Sequence, residues 1–241
     1  MADQEFQPVL EDWNTALAVV AHPDDLEYGT ASAVARWTSQ GKKVIYLMVT
    51  SGEAGIDSMS PAEAGPLREE EERQSAAEVG VETVEFLGHT DGVLEYGLDL
   101  RRDIARAIRR HKPDVIITGN FQLRWQRGGF NMADHRAVGL ATLDAARDAD
   151  NRWIFPELLE EGHEPWHGTK TILIGGSPDA THAVDVTDYI DQGVASLEKH
   201  RVYIDNLGKD FDPETFLTFI GAATGARFDC DYAVAFEVYS L

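Results

Sequence analysis

From Val44 through Val49 the chain is apolar without a break, within a segment of strand length at residues 43–50. A half-exposed strand would alternate in polarity, and an amphipathic helix would interrupt the run with polar residues. A short unbroken run fits a central strand covered on both faces, the usual setting of a parallel sheet. The same texture recurs along the chain. Residues 15–21, 83–87 and 115–118 read as further strands, and 170–175, 183–186 and 232–239 as later ones. Helical stretches lie between them. Residues 26–40 end at Gly41, 67–79 stop at Gly80, and 99–111 end before Pro113. The second of these turns Ala76, Ala77 and Val79 toward the core, and residues 51–66 ahead of it read as a loop. Residues 135–147, 187–200 and 213–224 continue the helical pattern. Strands that alternate with helices predict an α/β fold: a doubly wound, mainly parallel sheet with helices on both faces.

Composition narrows what such a fold can be for. The 241 residues suffice for one large domain, and no repeat, low-complexity tract or linker divides them. Residues 1–241 are therefore expected to form a single domain. A formal net charge of −21 argues against nonspecific binding to nucleic acid or to an anionic membrane. No window approaches the ~20 apolar residues of a membrane span, and the acidic start lacks the features of a signal peptide. A cytoplasmic protein is expected. One cysteine, Cys230, leaves neither an internal disulfide nor a Cys-based zinc site, so any metal must use His and carboxylate ligands.

Chemistry concentrates where a strand gives way to a helix. Ala21-His22-Pro23-Asp24-Asp25 follows the first strand, at the sheet edge where open α/β folds bind ligands. His22 and Asp25, three residues apart, can face one metal ion, which leaves Asp24 free for proton transfer. The alternative is a helix cap, with Asp25 capping a helix that starts at Leu26. A second cluster, Asn131-Met132-Ala133-Asp134-His135-Arg136, follows the fourth strand and a long interruption at residues 119–133. Loops of that length inside compact domains tend to be functional. Parallel strands bring their C-terminal ends together, so His135 can join His22 and Asp25. Three protein ligands with an open position are the hallmark of catalytic zinc. Such an ion acidifies water and polarises a carbonyl, which suits amide or ester hydrolysis.

The chain resembles the PIG-L/LmbE-like family of zinc-dependent N-deacetylases. The Ala-His-Pro-Asp-Asp motif stands intact at 21–25, followed by Glu27 and Gly29. Thr50-Ser51-Gly52-Glu53-Ala54-Gly55, Arg68 with Glu71 and Gly80, Leu87-Gly88 with Asp91-Gly92, and Asp134-His135-Arg136 match its other motifs. Phe155-Pro156-Glu157-Leu158 resembles a segment of one bacterial subgroup. The resemblance covers roughly residues 18–200 and implies a Rossmann-like fold and a Zn2+ cofactor. His22, Asp25 and His135 would bind zinc, and Asp24 would be the general base that later protonates the leaving amine. Glu53, Arg68 and Asp91 would line the substrate pocket, with a structural ion-pair network as their alternative. Asp134 would orient a neighbouring ligand. The implied substrate is a small N-acyl, most simply N-acetyl, amino sugar or glycoside conjugate.

The chain also departs from that family. Met132 stands where many members carry a His that steadies the oxyanion, and a thioether cannot donate a hydrogen bond. His89, Arg124, Arg127 and Asn131 are the candidate replacements. Gly193 and Val202-Tyr203 replace a Lys and a Ser-Gln pair, while His200 fits the pattern or serves as a cation at a helix C-terminus. Two further readings stay open. One is an amidase acting on a thiol-sugar conjugate or a non-sugar amide. The other is a ligand-binding or regulatory protein that keeps a metal site. Trp125 reads as a pocket wall or as a loop residue packed on its own domain, and Cys230 as a small buried side chain. The sequence leaves the formation of a homo-oligomer undecided.

Overall fold

The structure, a computed structural model, describes residues 5–125, 128–207 and 211–241. Eight strands form one sheet: β1 (Gln7–Pro8), β2 (Thr15–Val20), β3 (Lys43–Met48), β4 (Thr83–Phe86), β5 (Val115–Gly119), β6 (Thr171–Gly175), β7 (His182–Asp185) and β8 (Ala233–Ser240). Their order is β1-β7-β8-β6-β5-β2-β3-β4. All neighbouring pairs are parallel except those of β8, which runs antiparallel to β6 and β7. From β2 the chain moves outward through β3 to β4, then returns to place β5 on the other flank of β2. The order reverses there, and ligands of open α/β sheets bind at such a switch point, beyond the carboxyl ends of the strands.

The helices are α1 (Ala31–Ser39), α2 (Pro61–Glu78), α3 (Leu98–His111), α4 (Ala133–Asp150), α5 (Glu157–Glu160), α6 (Ile190–Glu198), α7 (Arg201–Asn206) and α8 (Pro213–Gly225). Alternate residues of β2 and β3 feed two cores. Ala16, Ala18, Val20, Val44, Tyr46 and Met48 pack with Val34, Trp37 and Ala76 of α1 and α2 on one face. Leu17, Val19, Ile45 and Leu47 pack with Ile104, Ile108, Val138 and Ala145 of α3 and α4 on the other. Both faces are covered, as the unbroken apolar run of β3 requires.

Two helix boundaries differ from the sequence reading. Residues 22–30 form consecutive turns, and the first helix begins only at Ala31. Asp24 has φ +89°, a left-handed conformation that a right-handed helix cannot include. The helix that the sequence places at 67–79 instead starts at Pro61. Ser60 and Glu63 form a reciprocal capping box, and proline at the first position leaves no hydrogen-bond donor wasted. Ala77 is exposed, and the inward face carries Arg68, Glu71, Glu72 and Ser75.

Candidate metal centre

The turns after β2 fix the first half of the site. His22 N–H donates to Asp25 Oδ2 at 2.9 Å, so that carboxylate closes its own turn and caps no helix. Its other oxygen, Oδ1, lies 2.9 Å from His135 Nε2. His22 Nδ1 lies 3.6 Å from Asp25 Oδ2, and the two imidazoles meet edge to face at 5.2 Å. One ligand atom from each of His22, Asp25 and His135 lies within 4.8 Å of the others. The structure thus brings together all three residues that the sequence proposed as ligands.

The outer nitrogens decide which inner ones are free. His22 Nε2 is 3.0 Å from Asp91 Oδ1 and 3.4 Å from Asp134 Oδ2. His135 Nδ1 is 2.9 Å from Asn131 Oδ1. Each ring has its far nitrogen on an oxygen acceptor, which selects the tautomer whose remaining lone pair faces the centre. Metal-ligating histidines are typically held this way. Burial alone would lower the His22 pKa, but Asp25, Asp134 and Asp91 outweigh it and hold the imidazole well above its usual range. Burial likewise opposes ionisation of Asp25, yet His135 and His22 hold that carboxyl far below the usual range. The donor set of two imidazoles and a carboxylate fits a divalent ion such as zinc.

Asp24 has partners of its own. It is 4% exposed, its N–H donates to Glu72 Oε2 at 3.1 Å, and its Oδ2 accepts from Arg68 Nη2 at 3.0 Å. Burial pushes its carboxyl up to about 7, against the pull of Arg68 and with the push of Asp25. A general base works best with a pKa near the operating pH. Tyr203 lies beside the same carboxyl, and the Arg68 guanidinium stacks 4.1 Å from the Tyr203 ring centre.

The other motif residues are engaged within the protein. Arg68 is 2% exposed and donates to the carbonyls of Gly52 and Pro23 as well as to Asp24. A Cβ on Gly52 would sit 2.2 Å from Arg68 Nη1, and Gly52 also has φ +61°, so glycine is required under that guanidinium. Glu53 accepts the N–H of Ser51 and of Asp91. Asp91 accepts Ala54 N–H with the oxygen that does not face His22. Asp134, 1% exposed, accepts the N–H of Gly92 and of Leu94, tying that loop to His22.

Several residues act differently from their sequence reading. Asn131 is fully buried and orients His135 while its amide donates to the carbonyls of Asn120 and Gln122. That use explains why the long loop between β5 and α4 belongs to the site. His89 pairs with Asp103, Arg124 is exposed, and Arg127 lies outside the described residues. His200 is no helix-end cation: it is fully buried near Glu27 and Glu72, and burial pushes it down to about 3. The Trp125 ring packs edge-on to His135 at 5.7 Å and forms a wall. Burial raises Cys230 to about 11, which makes it a poor nucleophile. Glu72 carried no signal in the sequence, because it sits in no apolar pattern and beside no ligand in the chain, and Tyr203 stood out only as a departure from the family's pattern, with no role attached.

The model of the PIG-L family, GlcNAc-PI de-N-acetylase, matches residues 17–146, more than half of the chain. The chain belongs to the PIG-L family. The match spans every residue of the metal centre and of its carboxylate surround. Diacetylchitobiose deacetylase of Thermococcus kodakarensis is 24% identical over 94% of this chain and 85% of its own length. N,N'-diacetylchitobiose deacetylase of Pyrococcus horikoshii, solved with an inhibitor, superposes with a TM-score of 0.86 over 95% of this chain and 85% of that one, at 24% identity. GalB of Pseudomonas putida, a 4-carboxy-2-hydroxymuconate hydratase, superposes with a TM-score of 0.75 at 18% identity, over 93% of this chain and 95% of that one. This PIG-L scaffold therefore resembles proteins of different chemistry, and function has to be argued from the site. Among the described residues, no helix is long and apolar enough to cross a membrane.

Proposed function

We propose that this PIG-L protein is a zinc-dependent N-deacetylase, acting as one catalytic domain, that hydrolyses the N-acyl group of an amino sugar or glycoside conjugate. The observation that carries the reading is the matched pair of imidazoles. Each has its outer nitrogen on an oxygen and its inner nitrogen turned toward Asp25. The deacetylase names of the family and of the Thermococcus relative support the substrate class.

His22, Asp25 and His135 would hold the ion. When bound, zinc supplies Lewis acidity to an acyl carbonyl and lowers the pKa of water from about 16 to about 7. Asp24 takes the proton of the attacking water and later gives it to the leaving amine. The C–N bond breaks, a C–O bond forms, and the products are a carboxylate and a free amine. Arg68, Tyr203 and Glu72 keep the Asp24 carboxyl aimed; Asp91 and Asp134 keep His22 aimed. Of the residues proposed to meet the substrate, Glu53 and Asp91 stand on the His22 side of the ion position, where an amino sugar would present its hydroxyls, while Arg68, 2% exposed, acts by holding Asp24. Met132, 44% exposed at the start of α4, supplies no oxyanion donor.

The test is acetate release by zinc-loaded protein from a panel of N-acetylglucosamine derivatives and S-conjugate amides. Release from the sugars is expected. Tight ligand binding without release from any compound would convert the reading to a binding protein.

A further inference from the structure

The metal centre has two unlike sides. On the His22 side stand Asp91, Glu53 and Asp134, all acidic. On the His135 side a narrow recess of about 80 Å3 is lined by Asp25, His135, Tyr28, Gly29, Trp125 and Gly176, among others. Tyr28, Gly29, Trp125 and Gly176 also line a second cavity of about 410 Å3. That volume falls within the range of small-molecule sites. Its far wall comes from α8 and β8, with Phe216, Ile220 and Thr224 from the helix and Val234 from the strand. Among the described residues no charged side chain lines it, although 26% of the chain is Asp, Glu, Lys or Arg. Trp125 and α8, which lie outside the carboxylate motifs, thus wall a chamber whose described lining is uncharged and which adjoins the ion position.

We propose that this cavity receives the acyl chain of the substrate, and that the preferred substrate carries an acyl group longer than acetyl. The proposal deepens the N-deacetylase reading and depends on it for the position of the scissile amide. A sugar has several hydroxyls that need partners, and leaving them unpaired in an apolar chamber is costly. The sugar therefore belongs on the carboxylate side. The group across the scissile carbonyl then enters the His135 side, and only an apolar chain gains from that chamber. Hydrolysis breaks the amide C–N bond, delivers the water oxygen to the acyl carbon and the proton to the amine, and leaves the chain as its carboxylate. Each buried methylene contributes about 0.8 kcal/mol, or about fourfold in binding.

The experiment compares N-acetyl-, N-butanoyl- and N-octanoylglucosamine with the zinc-loaded full chain. Octanoyl is expected to exceed acetyl in kcat/KM by at least tenfold. Ile220→Trp and Thr224→Phe, which fill the chamber from α8, should bring the octanoyl-to-acetyl ratio back toward one. The octyl glycoside of N-acetylglucosamine tests the other occupant; a gain there without a gain from N-octanoyl would overturn the assignment. Calorimetric binding of octanoate against acetate needs no turnover. Octanoate should bind at least tenfold tighter, and Ile220→Trp should abolish the difference. If no N-acyl sugar is hydrolysed but this preference holds, the chamber stands and the deacetylase reading falls. Equal binding of the two carboxylates would refute the chamber whatever the turnover.

Discussion

Among the described residues three trios of His and carboxylates could hold a metal ion; one, His22 with Asp91 and Asp134, shares its imidazole with the proposed centre, and the other two share no residue and differ in their surroundings. His22, Asp25 and His135 pair two imidazoles with a carboxylate; Glu27, Glu72 and His200 pair two carboxylates with an imidazole. In the first trio every outer nitrogen has an oxygen partner, and His135 and His22 keep Asp25 ionised. In the second, Glu27 Oε2, Glu72 Oε1 and both His200 nitrogens find no hydrogen-bond partner among the described residues. Burial pushes Glu27 up to about 7, raises Glu72 well above its usual range and holds His200 neutral. The first trio sets an ionised carboxylate between two imidazoles held from behind by oxygen acceptors, whereas in the second burial opposes charge on all three side chains. Residue type alone does not make a metal centre; the partners on the outer side of each ligand do. The second trio supports the first through Glu72, which holds the backbone of Asp24.

The largest effect that sharpens this contrast is expected at Asp24. Asp24→Asn keeps the shape and the hydrogen-bond acceptor toward Arg68 but removes the base. Turnover should fall by about 10²–10⁴ while bound zinc, read by elemental analysis, stays at the wild-type level. Near-normal turnover would remove Asp24 from the mechanism. Asn131→Ala frees the outer nitrogen of His135, and zinc affinity by competition with a chromogenic chelator should drop about 10–100-fold. An unchanged affinity would show that His135 needs no such support.

The smallest effect belongs to the second trio and concerns stability. The Glu27 carboxyl rises from its ordinary 4.5 to about 7 in the folded chain, chiefly through burial. The folded state then binds a proton that the unfolded state has already lost. Stability from this group is present below pH 4.5 and is lost as pH rises through 7. In metal-free protein, Glu27→Gln should therefore gain on wild type as pH rises from 5 to 8, by a few degrees in Tm. A difference that does not change with pH would mean that Glu27 is ionised throughout.

The sheet and the ligand trio were legible because both follow from simple rules. Unbroken apolar runs mark β2, β3 and β5, and the switch point carries the motifs that follow β2 and β5. What supports the trio was harder to see. Arg68, Glu71, Glu72 and Ser75 lie on one face of α2 at helical spacing, but that face is polar, and hydrophobic periodicity does not register it. The left-handed backbone at Asp24 is set by contacts with Glu72 and Arg68, distant in sequence, so the motif reads as a helix start until the fold is known. Asn131 looked like a spare donor near Met132, and its place behind His135 depends on how the long loop closes on Asn120 and Gln122. Tyr203 stands far along the chain and meets Asp24 only because α7 packs beside α2, where Val202 N–H donates to Glu71.

The central claim is that one trio holds a metal ion and the other does not. Zinc stoichiometry, measured by mass spectrometry on wild type, His135→Ala and His200→Ala after equilibration with zinc and gel filtration, tests it directly. The account predicts one zinc per chain in wild type, a loss of at least 90% in His135→Ala, and an unchanged content in folded His200→Ala. Zinc retained by His135→Ala, or two zinc ions per wild-type chain with one lost in His200→Ala, would contradict it.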